Sequence, residues 1–170
     1  MSASRDELIA RLEAVERRLA EHVEADDHGL PPGLSEPDPG EAERWEAGQV
    51  WAHLAEFPSY WLGQIRAILD APGAGQSDAV PFGRTRTDPR RLGAIERDRH
   101  TDPAALLERV RGSLAEVVDT IRGLPAEAWT ARGVHRSAGE LNVGAIVERF
   151  VVNHLEEHAD TLDVLRRGSG

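Results

Sequence analysis

The stretch Val143-Gly-Ala-Ile-Val-Glu-Arg-Phe-Val-Val-Asn-His-Leu-Glu-Glu-His-Ala-Asp-Thr-Leu-Asp-Val-Leu165 decides how this chain is read. Its apolar residues recur at Val147, Val151, Leu162 and Leu165, the spacing of one helix face. His154 and His158 continue that spacing across the gap. Two imidazoles are therefore expected on an inward stripe one turn apart, with about 5–6 Å between their Cβ atoms. One helix presents two ligands to one metal ion in this way. The alternative is a pair of core histidines, each hydrogen-bonded within the protein.

Outward from this stretch, Asn142 is a candidate N-cap for that helix, and Arg132–Gly139 reads as a loop holding His135. Upstream, Thr101-Asp102-Pro103 is a helix start, with Asp102 as cap and Pro103 at the first helical position. Leu106, Val110, Leu114, Val117 and Ile121 form the stripe of this third helix, which Gly123 and Pro125 end. A short turn is expected over Pro125–Trp129. The second helix begins between Glu43 and Gly48 and runs to about Leu69, with Val50, Leu54, Phe57, Trp61, Ile65 and Ile68 inward. His53 lies between Val50 and Phe57 on the same face. Pro58 predicts a kink or loosened turn close by, since it cannot donate to the Leu54 carbonyl. The first helix covers about 4–25, opening with the capping-box spacing Ser4–Glu7. A polar connection rich in Gly and Pro follows it and holds His28.

Residues 71–100 make a connection rich in Gly, Pro and Arg. Such length inside a domain points to function or short structure, and it can carry the chain back along the second helix. Strand-like alternation is nearly absent. The expectation is one all-α domain over 1–170, a four-helix bundle running up-down-down-up, with the long connection between helices 2 and 3.

Composition narrows the chemistry. The chain has 170 residues, 29% of them charged, and a formal net charge of -10. That balance argues against nucleic acid or an anionic membrane as partner. No cysteine is present, so disulfides and thiolate ligands are excluded. Every basic residue is arginine, which removes Schiff-base lysines. No signal-peptide core or apolar span is visible, and a cytoplasmic protein is expected.

His53, His154 and His158 are thus the candidate metal ligands, a set of three that leaves a position open for water or substrate. Glu56, Glu157 and Asp160 are candidates for fixing the ring tautomers. Trp61, Arg84 and His135 are candidates for touching a substrate. The other arginines of the connection are expected to pair with nearby acids, and His22 is expected at the surface. His154-Leu-Glu-Glu-His158 lacks the Glu that follows the first His in zinc proteases, which disfavours that activity.

Three segments carry a family resemblance: Trp45 to Phe57 with Trp-Ala-His-Leu-Ala-Glu-Phe, Leu-Pro-Ala-Glu-Ala-Trp at 124–129, and Val-Val-Asn-His-Leu-Glu-Glu-His at 151–158. Together they resemble the DinB/YfiT-like four-helix metalloproteins, which include thiol-dependent transferases and the mycothiol-dependent maleylpyruvate isomerase group. The resemblance implies a three-histidine site at His53, His154 and His158 for Zn, Ni, Fe or Mn, and a low-molecular-weight thiol as cosubstrate. The isomerase group carries a further C-terminal domain, and Glu-x-x-x-His where this chain has His-x-x-x-His. The favoured expectation is therefore a metal-dependent transferase that joins a mycothiol-type thiol to an electrophilic small molecule. The alternatives are a thiol-dependent isomerase and a non-catalytic metal-binding or stress-related interaction protein, with a homodimer also expected.

Overall fold

The structure, a computed structural model, describes residues 3–25, 29–37, 43–71 and 79–168. His28 and part of each Gly/Pro-rich connection lie outside the described residues. Four long helical stretches form the body: α1 (Arg5–Ala25), α2 (Ala47–Asp70), α4 (Pro103–Gly123) and a C-terminal helix. Between α2 and α4 lie β1 (Val80–Phe82) and α3 (Pro89–Asp98). After α4 come α5 (Ala126–Trp129), β2 (Arg132–His135) and β3 (Gly139–Asn142). The C-terminal helix runs as α6 (Val143–Ile146), a π-helical stretch Val147–Val152 and α7 (Asn153–Arg167).

Local chemistry explains the helix ends. The Ser4 hydroxyl accepts from the Glu7 N–H, and Glu46 and Gln49 cap the start of α2 reciprocally. Asp102 accepts from the Ala104 N–H ahead of α4, and Asn142 accepts from Ala145 N–H ahead of α6. α2 continues unbroken through Pro58, which is buried in it.

α1 and α2 each pack against both α4 and α7, giving the up-down-down-up four-helix bundle. Leu8, Leu12 and Leu19 meet Leu54, Phe57 and Ile65, Leu106 and Val117, and Val151, Leu155 and Leu162 at its centre. A buried aliphatic side chain of this kind contributes about 1.5–3 kcal/mol relative to exposure.

Three local features depart from the sequence expectation. The 132–139 segment is not a loop but most of an antiparallel hairpin, β2 with β3, and β1 joins β2 in parallel, Phe82 opposite His135. Strands of three or four residues are too short for a side-chain period to register. The 71–100 connection also holds α3, whose cap Asp88 accepts from the Arg90 and Arg91 N–H groups. Finally, the π turn takes one more residue than an α turn. Beyond it the buried stripe is Leu155, Ala159 and Leu162, while His154 and His158 sit half-buried on its flank.

Candidate metal centre and its cleft

α2 carries His53 into the interior at 3% exposure. The flank of α7 brings His154 and His158 against it. The ligand nitrogens of the three residues lie within 4.8 Å of one another, and His53 Nε2 is 3.0 Å from His154 Nε2. Among the described residues, the buried Nε2 of His158 has no hydrogen-bond partner. A buried polar atom left unpaired is costly, so three converging imidazoles with one orphaned nitrogen fit a shared cation. Burial holds both His53 and His158 well below the ordinary histidine pKa, and the nearby His154 adds to it. Neutral rings are the form in which histidine ligates.

The carboxylates expected to orient these rings divide. Glu56 accepts from His53 Nδ1–H at 2.9 Å, which leaves His53 Nε2 with its lone pair toward the cluster. Glu56 is also bonded to Arg84, whose guanidinium lies over the Tyr60 ring, 3.9 Å from its centroid. Burial raises the Glu56 pKa, and the Arg84 hydrogen bond opposes that shift. Glu157 stands 3.5 Å from His154 Nδ1, and His154 lowers its pKa. Asp160 is not at the cluster. It pairs with Arg18 of α1 at 2.5 Å. His22, expected at the surface, is instead buried and 2.7 Å from Asp163, because the last turn of α1 packs on α7.

The cluster opens on a cleft of about 1260 Å³, whose walls include Trp61, Arg84 and His135. Trp61 stacks on Phe150 with ring centroids 4.5 Å apart, and Phe82 and His135 complete this aromatic wall. The small sheet is what places His135 here. Its Nδ1 accepts from the Ser137 and Ala138 N–H groups, both at 3.3 Å, so the ring proton resides on Nε2. Gly83 makes room for that ring. Its φ is +94°, and a Cβ there would lie 2.3 Å from His135 Cδ2. Burial and Arg149 lower the His135 pKa.

Several residues of the site carried no periodic signal. Trp45 stacks parallel to His158 at 5.7 Å and meets His53 edge-on at 5.2 Å. Ser35 holds it there, pairing with both its N–H and its carbonyl. Phe57, by contrast on the inward stripe of α2, packs edge-on against His154. The sequence hint for Trp45 is its place in the motif with His53. Phe150 faces the cleft from the π stretch. Arg97 and Arg99 pair with Asp98, Glu46 and Glu96, as expected for the connection.

Comparison with known proteins bears on this geometry. The sequence profile of the DinB superfamily matches residues 11–162. No curated protein compared with the chain matches it. Among solved structures, YfiT from Bacillus subtilis, described as a probable metal-dependent hydrolase with an unusual four-helix bundle topology, is 20% identical with a TM-score of 0.71, over 98% of this chain and 90% of its own. The mycothiol-dependent maleylpyruvate isomerase is 14% identical with a TM-score of 0.67, over 94% of this chain, which spans 61% of the isomerase's length. The colibactin self-resistance protein ClbS, solved in complex with double-stranded DNA, is 14% identical with a TM-score of 0.61, over 96% of both chains. These likenesses establish a shared fold. The exclusion of nucleic acid expected from net charge finds no support in that fold. Among the described residues, no helix is long and apolar enough to cross a membrane. A bundle of this topology, with its histidines converging beside a cleft and a family profile spanning most of the chain, leads to one assignment: the chain belongs to the DinB superfamily.

Proposed function

We propose that His53, His154 and His158 hold a divalent metal ion and that the protein is a metal-dependent transferase. It joins a low-molecular-weight thiol of the mycothiol type to an electrophilic small molecule. The observation that carries the reading is the orphaned His158 Nε2 among converging imidazoles at the wall of a wide cleft. When bound, a divalent ion with an open position lowers the pKa of a thiol or water.

The chain's own residues have separate tasks in this reading. Glu56 fixes the His53 tautomer and Glu157 stands in the corresponding place for His154. Arg84 opposes the rise that burial imposes on the Glu56 pKa. Trp61, with Phe150 and Phe82, supplies an apolar wall for the electrophile, and His135 offers an Nε2–H donor beside it. In the transfer, the new C–S bond forms as the bond to the leaving group breaks, and the thiol proton leaves with that group. The same reading carries a cytoplasmic location and a homodimer. Elution from a sizing column at the mass of one 18.6 kDa chain removes the dimer.

The test is turnover. Protein loaded in turn with Zn, Ni, Fe or Mn is incubated with mycothiol or bacillithiol and a bimane electrophile. Metal-dependent thioether formation, lost in His154→Ala, is expected. Absence of turnover with every metal and thiol rejects the transferase. Turnover of the electrophile in water alone replaces it with a hydrolase.

A further inference from the structure

Arg91 has no task in the account above. α3 sets its side chain in the cleft wall at 8% exposure. Its Nη1 donates to the Arg86 carbonyl at 2.8 Å, and its guanidinium lies over the Trp45 ring, 5.1 Å from the centroid. Neither partner carries a negative charge. The acids that act on it at a distance are Glu43 and Glu56, and Glu56 is already bonded to Arg84 and His53. Among the described residues, no carboxylate lies within ion-pair distance of Arg91. Arg84, Arg97 and Arg99 of the same connection each have one.

A buried cation without a counter-charge at ion-pair distance is costly, and an anion bound beside it would offset that cost. The surroundings favour an anion. Arg84, Arg86, Arg136 and Arg149 also line the cleft of a chain whose net charge is -10. Of the acids that line it, Glu36 pairs with Arg44, Asp88 caps α3, Glu157 faces His154, and Glu43 acts on Arg91 from beyond ion-pair distance. Trp45 lies between the two centres, stacked on His158 and under Arg91.

We infer that Arg91 anchors the oxyanion, carboxylate or phosphate, of an anionic small molecule, so that the rest of the ligand extends along the cleft toward the three histidines. A planar guanidinium fork suits such a group, binding it through two parallel N–H donors. The inference rests on the cleft being the substrate site but not on the metal. It therefore applies to metal-free protein.

The experiment titrates malonate and, separately, inorganic phosphate into chelator-treated full-length protein, followed by calorimetry and by the arginine side-chain N–H resonances. Saturable binding in the millimolar range or tighter is expected, with the Arg91 resonance shifting. Arg91→Gln is expected to weaken it at least about tenfold and Arg91→Lys to weaken it less, since the charge survives and the fork does not. The stronger of the two anions identifies the ligand group. If Arg91→Gln does not fold, the Arg91 resonance in the wild type and the Lys variant decide the matter. His154→Ala is expected to leave anion binding unchanged, whatever it does to metal uptake. No saturation by either anion up to about 50 mM overturns the inference. So does binding that Arg91→Gln leaves intact and His154→Ala removes.

Discussion

The two flanks of α7 carry similar residues and end in opposite states. On the flank facing α1, Arg11 pairs with Glu156 and Asn153, and Arg18 with Asp160 and Asp163. His22 lies against Asp163. Each charge there meets its opposite across two helices. On the flank facing α2, three imidazoles meet each other, and among the described residues His158 Nε2 has no hydrogen-bond partner. The first flank is complete in the polypeptide alone, as a surface that holds helices together needs to be. The second is incomplete without a ligand, and it is the one that opens on the cleft. A polar cluster that the chain leaves unsatisfied marks function more clearly than one it satisfies.

This contrast breaks most readily at the histidines. Zinc at a thousandfold excess over its Kd stabilises by about 4 kcal/mol, a rise in Tm of roughly 8–16 °C for a chain of this size. His53→Ala and His154→Ala are expected to abolish the rise in a thermal melt. An equal rise in both variants places the metal elsewhere.

A smaller change follows at the carboxylate that orients His53. Glu56→Gln keeps the shape and one carbonyl acceptor but loses the negative charge that Arg84 and His53 Nδ1–H share. Metal affinity, read by competition with a coloured chelator, is expected to fall about 10–100-fold. Unchanged affinity would remove Glu56 from the site.

The flanks also respond to pH in different windows. His53 and His158 have folded pKa values well below 6.5, so the unfolded chain binds more protons than the folded one below that pH. The metal-free protein is therefore expected to lose stability as pH falls below about 6.5, until the folded pKa values are passed. At Asp163, burial raises the pKa, but Arg18 and His22 outweigh it and hold the carboxyl below 3.8. Its contribution is present above that value and lost only as pH falls through the lower folded pKa. Denaturant melts of metal-free protein between pH 8 and pH 3 read both windows. A flat profile from pH 7 to 5 contradicts the neutral buried imidazoles.

The smallest effect is expected on the closed flank. Arg18→Ala removes one pair with a side chain about one-third exposed, Asp163, and one with a side chain about two-thirds exposed, Asp160, together worth about 1 kcal/mol or less after solvent screening. Metal binding is expected to stay as in the wild type. A large loss of metal affinity would show that the two flanks are coupled.

Much of this was legible in the sequence where side chains act locally. Asp102–Pro103 and Asn142 mark helix starts, and the spacing around His53 places it inward, because caps and helical periods are short-range. Thr87-Asp88-Pro89 repeats the Thr101-Asp102-Pro103 start and could have revealed α3. The strands could not be read in this way. Val80 pairs with Gly133 across more than fifty residues, through backbone groups that every residue has. The π stretch is equally silent, and it moved His154 and His158 from the centre of the stripe to its flank. That shift leaves them facing a cleft rather than sealed in a core. Arg91 comes to the site through tertiary packing, which no local pattern records, and for Trp45 the motif it shares with His53 is the one sequence hint.

The most direct test of the three-histidine centre is elemental analysis of tag-free protein, wild type beside His158→Ala, purified identically from one growth medium. Near-stoichiometric divalent metal in the wild type and its loss in a folded variant are expected. Equal metal in both proteins, or none in the wild type after exposure to zinc, nickel, iron and manganese, would contradict the account.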